Sequence, residues 1–260
     1  VSSCRLRNLL VLSVLALASL AVAGTSIAAA ANEIAYDCKL DICLLDPANP
    51  AAVTNLTDNG ETSIDEKPIW SPDGKKIAFI SNFGGGTQNL FVMEPEAPDQ
   101  GFNLAVQATH FVSGVPIEEP VWSPDGTRLA FVYGNSESND KVEVANSNGT
   151  TATPLVVAEH GVHPTWAPDS GKIAYAYEGH VYVEEAGGAG FPPPLTGAEG
   201  HEPVWSPDGS RIAFGKKANF SSFDLGIVPA GGGTAVTLAS GLEFIYPSWS
   251  PSGSQVVYRG

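Results

Sequence analysis

A twelve-residue phrase occurs five times in this chain, and nothing else in the sequence limits the fold as much. It reads Pro68-Ile69-Trp70-Ser71-Pro72-Asp73-Gly74-Lys75-Lys76-Ile77-Ala78-Phe79 and returns from Pro120, Pro164, Pro203 and Pro247. All five tryptophans, Trp70, Trp122, Trp166, Trp205 and Trp249, hold the same place in it, spaced by 52, 44, 39 and 44 residues. Self-similarity at that period marks a repeat architecture with four strands per unit. Within each copy the Trp triplet reads as a short strand and Ser-Pro-Asp-Gly as a turn. Pro presets φ, Asp bonds back to the backbone, and Gly accepts φ > 0. Ile-Ala-Phe returns as a second strand, with Ile and Phe on one face and the small Ala leaving room for close packing on the other. Later hydrophobic runs, such as residues 90–93 and 154–157, supply a third and a fourth strand.

Such a sheet cannot cover both of its faces alone, so neighbouring repeats must pack face to face around an axis. The expected fold class is all-β, a β-propeller of four-stranded antiparallel blades with the tryptophans as an inter-blade belt. Residues 34–57 offer three late strands with no Trp strand before them, and the C-terminal region offers a Trp strand with none after it. The two ends are therefore expected to share a sheet and close the ring, which removes two open edges. Five Trp strands then make five blades. Val256-Val257-Tyr258 and Ile34-Ala35-Tyr36 both read as second strands, however, and a six-bladed ring cut short would show the same surplus. In the third copy Asp169-Ser170-Gly171 reads as one residue inserted before the turn glycine, and in the last copy Ser252 replaces the turn Asp.

The repeated phrase resembles the TolB-type propeller repeat, a WD-repeat-like motif of the form P-x-W-S-P-D-G-x-x-I-A-F, over nearly all of residues 33–260. That resemblance implies an exported β-propeller that serves as a binding platform. Certain metal-dependent pectate lyases are similar in repeat type. They imply a rival reading, a carbohydrate-active propeller enzyme working through histidines and carboxylates.

Export is also written at the N-terminus. Arg5 and Arg7 precede an uncharged run over residues 9–31, rich in Leu, Val and Ala, and Ala28-Ala29-Ala30-Ala31 offers a small-residue cleavage site. Residues 1–31 read as a signal peptide and 32–260 as the propeller domain. The destination is periplasmic or extracellular, with no stable membrane insertion after cleavage. The formal net charge is −15, and without residues 1–31 it becomes −17. A chain this acidic repels nucleic acid, so the partner expected is a protein or envelope ligand bound by a monomer. Of three cysteines, Cys38 and Cys43 flank a short segment between two predicted strands, within reach of a disulfide in an oxidising compartment.

The positions just before the motif prolines carry the chemistry. They read Glu66-Lys67, Glu118-Glu119, Val162-His163, His201-Glu202 and Ile245-Tyr246, in the connections that should gather at the channel mouth. Glu66, Lys67, Glu118, Glu119, His163, His201, Glu202 and Tyr246 are thus the candidate binding rim, a convergence of polar groups in a concavity. His160, His163 and His201 are weak candidate metal ligands, and no cofactor is expected. Neither a G-x-S-x-G elbow nor a phosphate-binding glycine motif occurs, so no catalytic residue is assigned.

Overall fold

The computed structural model describes residues 33–58, 62–84, 86–95, 105–136, 139–150, 153–188, 190, 192–195, 200–218, 222–242 and 245–259. The export segment expected over residues 1–31 lies outside the described residues.

Each repeated turn closes as its residues dictate. Ser71 Oγ donates to Asp73 Oδ1 at 2.7 Å, and the same oxygen accepts the Lys75 N–H at 3.1 Å. The Gly74 N–H reaches the Ser71 carbonyl at 2.9 Å, with Gly74 at φ 69°. Ser123–Asp125 and Ser206–Asp208 repeat the side-chain contact at 2.6 Å. The third copy holds no insertion. Trp166 pairs with Ile173 as Trp122 pairs with Leu129, and Ser170 itself takes the left-handed turn position at φ 61°. Asp169 Oδ1 accepts the Gly171 N–H at 2.8 Å, so the carboxylate does its usual work at the same step as Asp73 and Asp125.

These turns join antiparallel strands into six sheets. The first holds β1 (Ile34–Cys38), β2 (Asp41–Leu45) and β3 (Val53–Asn55); the second holds β4 (Asp65–Trp70), β5 (Ile77–Ser81), β6 (Asn89–Met93) and β7 (Val106–Gln107). The third is β8 (Ile117–Trp122), β9 (Arg128–Tyr133), β10 (Lys141–Asn146) and β11 (Leu155–Ala158). The fourth contains β12 (Val162–Trp166), β13 (Lys172–Tyr177) and β14 (His180–Glu185), and the Leu195 N–H donates to the Val181 carbonyl at its outer edge. The fifth is β15 (Gly200–Trp205), β16 (Arg211–Lys217), β17 (Phe223–Pro229) and β18 (Val236–Leu242), and the sixth is the pair β19 (Ser248–Trp249) and β20 (Val256–Val257). No helix occurs among the described residues.

The alternation along Ile-Ala-Phe explains how the sheets stack. Ala78 of one sheet packs in a single cluster with Trp122, Leu129 and Phe131 of the next. Ala130 does the same with Trp166, Ile173 and Tyr175, and Ala174 with Trp205, Ile212 and Phe214. A small residue on the back of each sheet thus admits the large residues on the front of its successor, to interior density. The indole N–H reinforces the stacking. Trp122 Nε1 donates to the Ile69 carbonyl at 3.1 Å, Trp166 Nε1 to Val121 at 3.2 Å, and Trp249 Nε1 to Val204 at 3.1 Å. Each acceptor immediately precedes the tryptophan of the preceding sheet. Arg128 and Arg211 also reach across, their guanidinium carbons 4.7 and 4.8 Å from the rings of Trp166 and Trp249. The Nε1 atoms of Trp70 and Trp205 are buried without a partner.

The Trp strands β4, β8, β12, β15 and β19 are neighbours in series, and β1 lies against β4. At the ends the arrangement departs from the sequence expectation. Among the described residues β1 pairs only with β2, and β19 only with β20, so the two ends do not share a sheet. The reason is the surplus second strand: β20 occupies the hydrogen-bonding edge of β19 that β1 would need.

Candidate functional site

The residue before four of the five motif prolines is where regular pairing breaks. Lys67, Glu119, His163 and Glu202 have φ of 57°, 51°, 55° and 50°, left-handed values that non-glycine residues seldom adopt and far from the extended backbone favoured before proline. At each of them the register slips, between Glu66 and Ile69, Glu118 and Val121, Val162 and Thr165, and His201 and Val204. The break lies inside the Trp strand, which is five or six residues long, and not in the connection before it where the sequence placed these residues. A β-bulge re-aims side chains, and each left-handed residue costs about 1–3 kcal/mol that the surrounding structure must offset.

Contacts between sheets supply the offset. Asp37 Oδ1 of β1 accepts the Lys67 N–H at 2.9 Å. Lys67 Nζ pairs with Glu118 of the next sheet. Glu119 then grips the fourth sheet twice, Oε2 accepting the His163 N–H at 2.6 Å while Oε1 lies 2.9 Å from His163 Nδ1. His163 Nε2 lies 3.3 Å from Glu202 Oε1 of the fifth sheet. A line of alternating charge, Asp37–Lys67–Glu118/Glu119–His163–Glu202, therefore runs over five consecutive sheets.

Burial and charge set the protonation of this line. Burial opposes ionisation of Glu119, but hydrogen bonds and charge from His163, with Lys67 beyond, outweigh it and hold the carboxyl below its ordinary value. Burial likewise opposes the charged imidazole, yet Glu119 and Glu202 prevail and His163 is raised. Glu202 is raised by burial, which His163 offsets and Glu119 aggravates. Burial lowers Lys67 against the pull of Glu66, Glu119 and Asp37, and burial raises Asp37 against Lys67.

Beside Glu202 the line opens into a cavity of about 200 Å³ lined by His163, His201, Glu202, Gly215, Phe223, Ile245 and Tyr246. Gly215 makes the room. Ile80, Val132 and Ala176 hold the equivalent place in the other Ile-Ala-Phe strands, and a Cβ added at Gly215 would stand 3.2 Å from Ile245 Cβ.

Of the eight rim candidates, Lys67, Glu118, Glu119, His163 and Glu202 are joined in the charged line, and His201 and Tyr246 line its cavity. Glu66 turns aside, its Oε1 accepting from Gln88 Nε2 at 2.8 Å. His160 stacks on Tyr177 with centroids 5.0 Å apart. Among the described residues no three His, Cys, Asp or Glu side chains are grouped to hold a metal ion. Sequence reasoning missed Asp37, Phe223 and Gly215, none of which lies in the repeated phrase. Only the substitution of Gly for a larger residue after Ile-Ala-Phe signalled the last. Cys38 and Cys43 are joined by a disulfide across the β1–β2 hairpin, with Cα atoms 5.8 Å apart.

Comparison with known proteins bears on the fold. No family model matches the chain. The crystal structure of TolB from Acinetobacter baumannii superposes with a TM-score of 0.57 at 19% identity, covering 86% of this chain and 56% of that one. The chain carries a TolB-like β-propeller. The same TolB-like fold matches an oligogalacturonate lyase in complex with manganese, with a TM-score of 0.62 at 16% identity over 82% of this chain and 62% of the lyase. At the sequence level, a stretch of 69 residues is 35% identical to the Tol-Pal system protein TolB of Coxiella burnetii, and one of 78 residues is 37% identical to the uncharacterized peptidase YuxL of Bacillus subtilis. These matches cover 23% and 29% of the chain and 16% and 11% of those relatives' own length.

Proposed function

We propose that this chain is an exported, non-catalytic propeller scaffold that binds a protein or envelope ligand where the proline-slot side chains meet. The observation that carries the reading is the repeated left-handed backbone at Lys67, Glu119, His163 and Glu202. Strain repeated at one position of every complete Trp strand serves display, because a regular strand would be more stable there. The fold likeness to TolB supports a binding platform, and residues 1–31 support export. We read the six sheets as six blades of a ring, a count supported by the separate second strands of the first and the last sheet. Small-angle scattering tests the ring: a compact disc agrees, whereas the longer maximum dimension of an open arc refutes closure.

The test of the scaffold reading is capture from an envelope extract by the intact chain and by the Glu119→Ala/His163→Ala/Glu202→Ala variant, with circular dichroism to confirm folding. Loss of a specific captured protein in the variant supports the reading, and equal capture refutes it. The convergence of Glu119, His163 and Glu202 favours a second reading, an acid–base group in a carbohydrate-active propeller. Against it, both nitrogens of His163 already face carboxylates, which suits a clamp between blades better than a base awaiting substrate. Release of unsaturated sugar from polygalacturonate by the intact chain, and none by the triple variant, would establish that second reading.

A further inference from the structure

The cavity beside Glu202 has a composition that selects a ligand. Its floor and rim combine one carboxylate, two imidazoles and the aromatic rings of Phe223 and Tyr246, with neither Lys nor Arg in the lining. His201 meets Phe223 edge to face at 6.1 Å between centroids, which fixes the Phe223 ring as a wall. Glu202 has a single ion-pair partner among the described residues, His163, and shares it with Glu119 at 2.9 Å against its own 3.3 Å. The shorter contact is the Glu119 one, so Glu202 keeps acceptor capacity on the cavity side. A carboxylate next to aromatic faces in a half-enclosed space attracts an organic cation by charge and by the ring quadrupoles together. An anion would meet Glu202 directly, and a purely apolar group would strip water from that carboxylate without replacing it.

We propose that this cavity is a subsite for an aliphatic ammonium or guanidinium group, the side chain of a Lys or Arg on a bound peptide segment. The proposal deepens the scaffold reading and rests on it, naming the feature of a partner that the fifth sheet recognises. The alkyl stem lies along Phe223 and Ile245, and the charged head meets Glu202 and the exposed ring of Tyr246. Gly215 is the residue that specifies the subsite, because a Cβ there would stand 3.2 Å from Ile245 Cβ and displace that wall of the cavity.

The test is calorimetric titration of the purified chain at low ionic strength with an acetylated, amidated tetralysine peptide. Spermidine, tetranorleucine and tetraglutamate peptides are titrated in parallel. Glu202→Gln and Gly215→Val are each expected to weaken tetralysine binding about tenfold, while Glu159→Gln, which removes an equal charge from an exposed residue outside the lining, changes it little. Gly215→Ala and Phe223→Leu repeat the test should the valine variant fold poorly. Spermidine binding with the same Glu202 and Gly215 dependence supports the subsite and assigns free polyamine as its source of the cation. Equal weakening by all three charge and cavity variants, tight binding of tetranorleucine or tetraglutamate, or no binding of any cation overturns the subsite. None of those three results alters capture by the Glu119/His163/Glu202 variant, so the scaffold reading is judged separately.

Discussion

Replacing single tryptophans by phenylalanine separates the indole hydrogen bond from the bulk of the ring. Trp122 and Trp166 are buried and donate to Ile69 and Val121 of the sheet before, whereas the Nε1 atoms of Trp70 and Trp205 are buried with no acceptor. Trp122, Trp166 and Trp205 are buried and shed a similar apolar area, and the partly buried Trp70 sheds less. Trp122→Phe and Trp166→Phe also break a bond of about 1 kcal/mol. Trp70→Phe and Trp205→Phe instead remove an unpaired donor, which recovers part of the packing loss. The two pairs should therefore differ by about 1–2 kcal/mol. With a urea slope of about 2–3 kcal/mol per molar, the midpoints separate by roughly 0.5 M. Far-ultraviolet circular dichroism is the proper probe, since fluorescence changes with every variant. Trp122→Ala sets the outer limit, at about 3–5 kcal/mol. If Trp70→Phe and Trp205→Phe lose as much as the other pair, the indole-to-carbonyl contact is not a determinant of blade stacking.

Three further outcomes follow from the charged line and the first hairpin. His163 is raised above its ordinary 6.5, so its contribution is fully present below that value and is lost as pH rises through the folded-state value. Urea midpoints of the intact chain should accordingly fall on that alkaline side, and His163→Gln should flatten the fall; parallel profiles would contradict the assignment. Glu119 is depressed from 4.5, so its contribution holds above that value and disappears as pH drops through its lowered one, and Glu119→Gln should blunt the acid limb in the same titration. Cys38→Ser/Cys43→Ser should cost about 2 kcal/mol, because the bridge closes only a short loop. A melting temperature equal to that of the oxidised parent would show that this hairpin is held by pairing alone.

The repeat was legible because its signals are local. Trp, Pro-Asp-Gly and Ile-Ala-Phe each act over a few residues, and their spacing forces four strands per unit. The Ala-to-Phe stacking was legible for the same reason, as alternation along one strand. The rim was legible as a set of positions, since the residue before Pro68, Pro120, Pro164 and Pro203 is easily found. Its geometry was not. A left-handed residue ahead of proline opposes local preference, and only the partner carboxylates of Asp37 and Glu119 on neighbouring sheets explain it. Ser170 taught the converse: a reading by alignment of glycines saw an insertion, where the backbone simply asked a serine to take φ 61°. The seam was illegible in principle, because β1 and β20 compete for the same kind of edge and sequence pattern cannot rank them.

The left-handed bend ahead of four of the motif prolines has a consequence for how such a surface changes. It sets direction through the main chain, and Lys67, Glu119, His163 and Glu202 place three kinds of side chain on that one bend. A single codon there changes the charge that the bend presents, while the Ala-to-Trp stacking beneath is built from other residues.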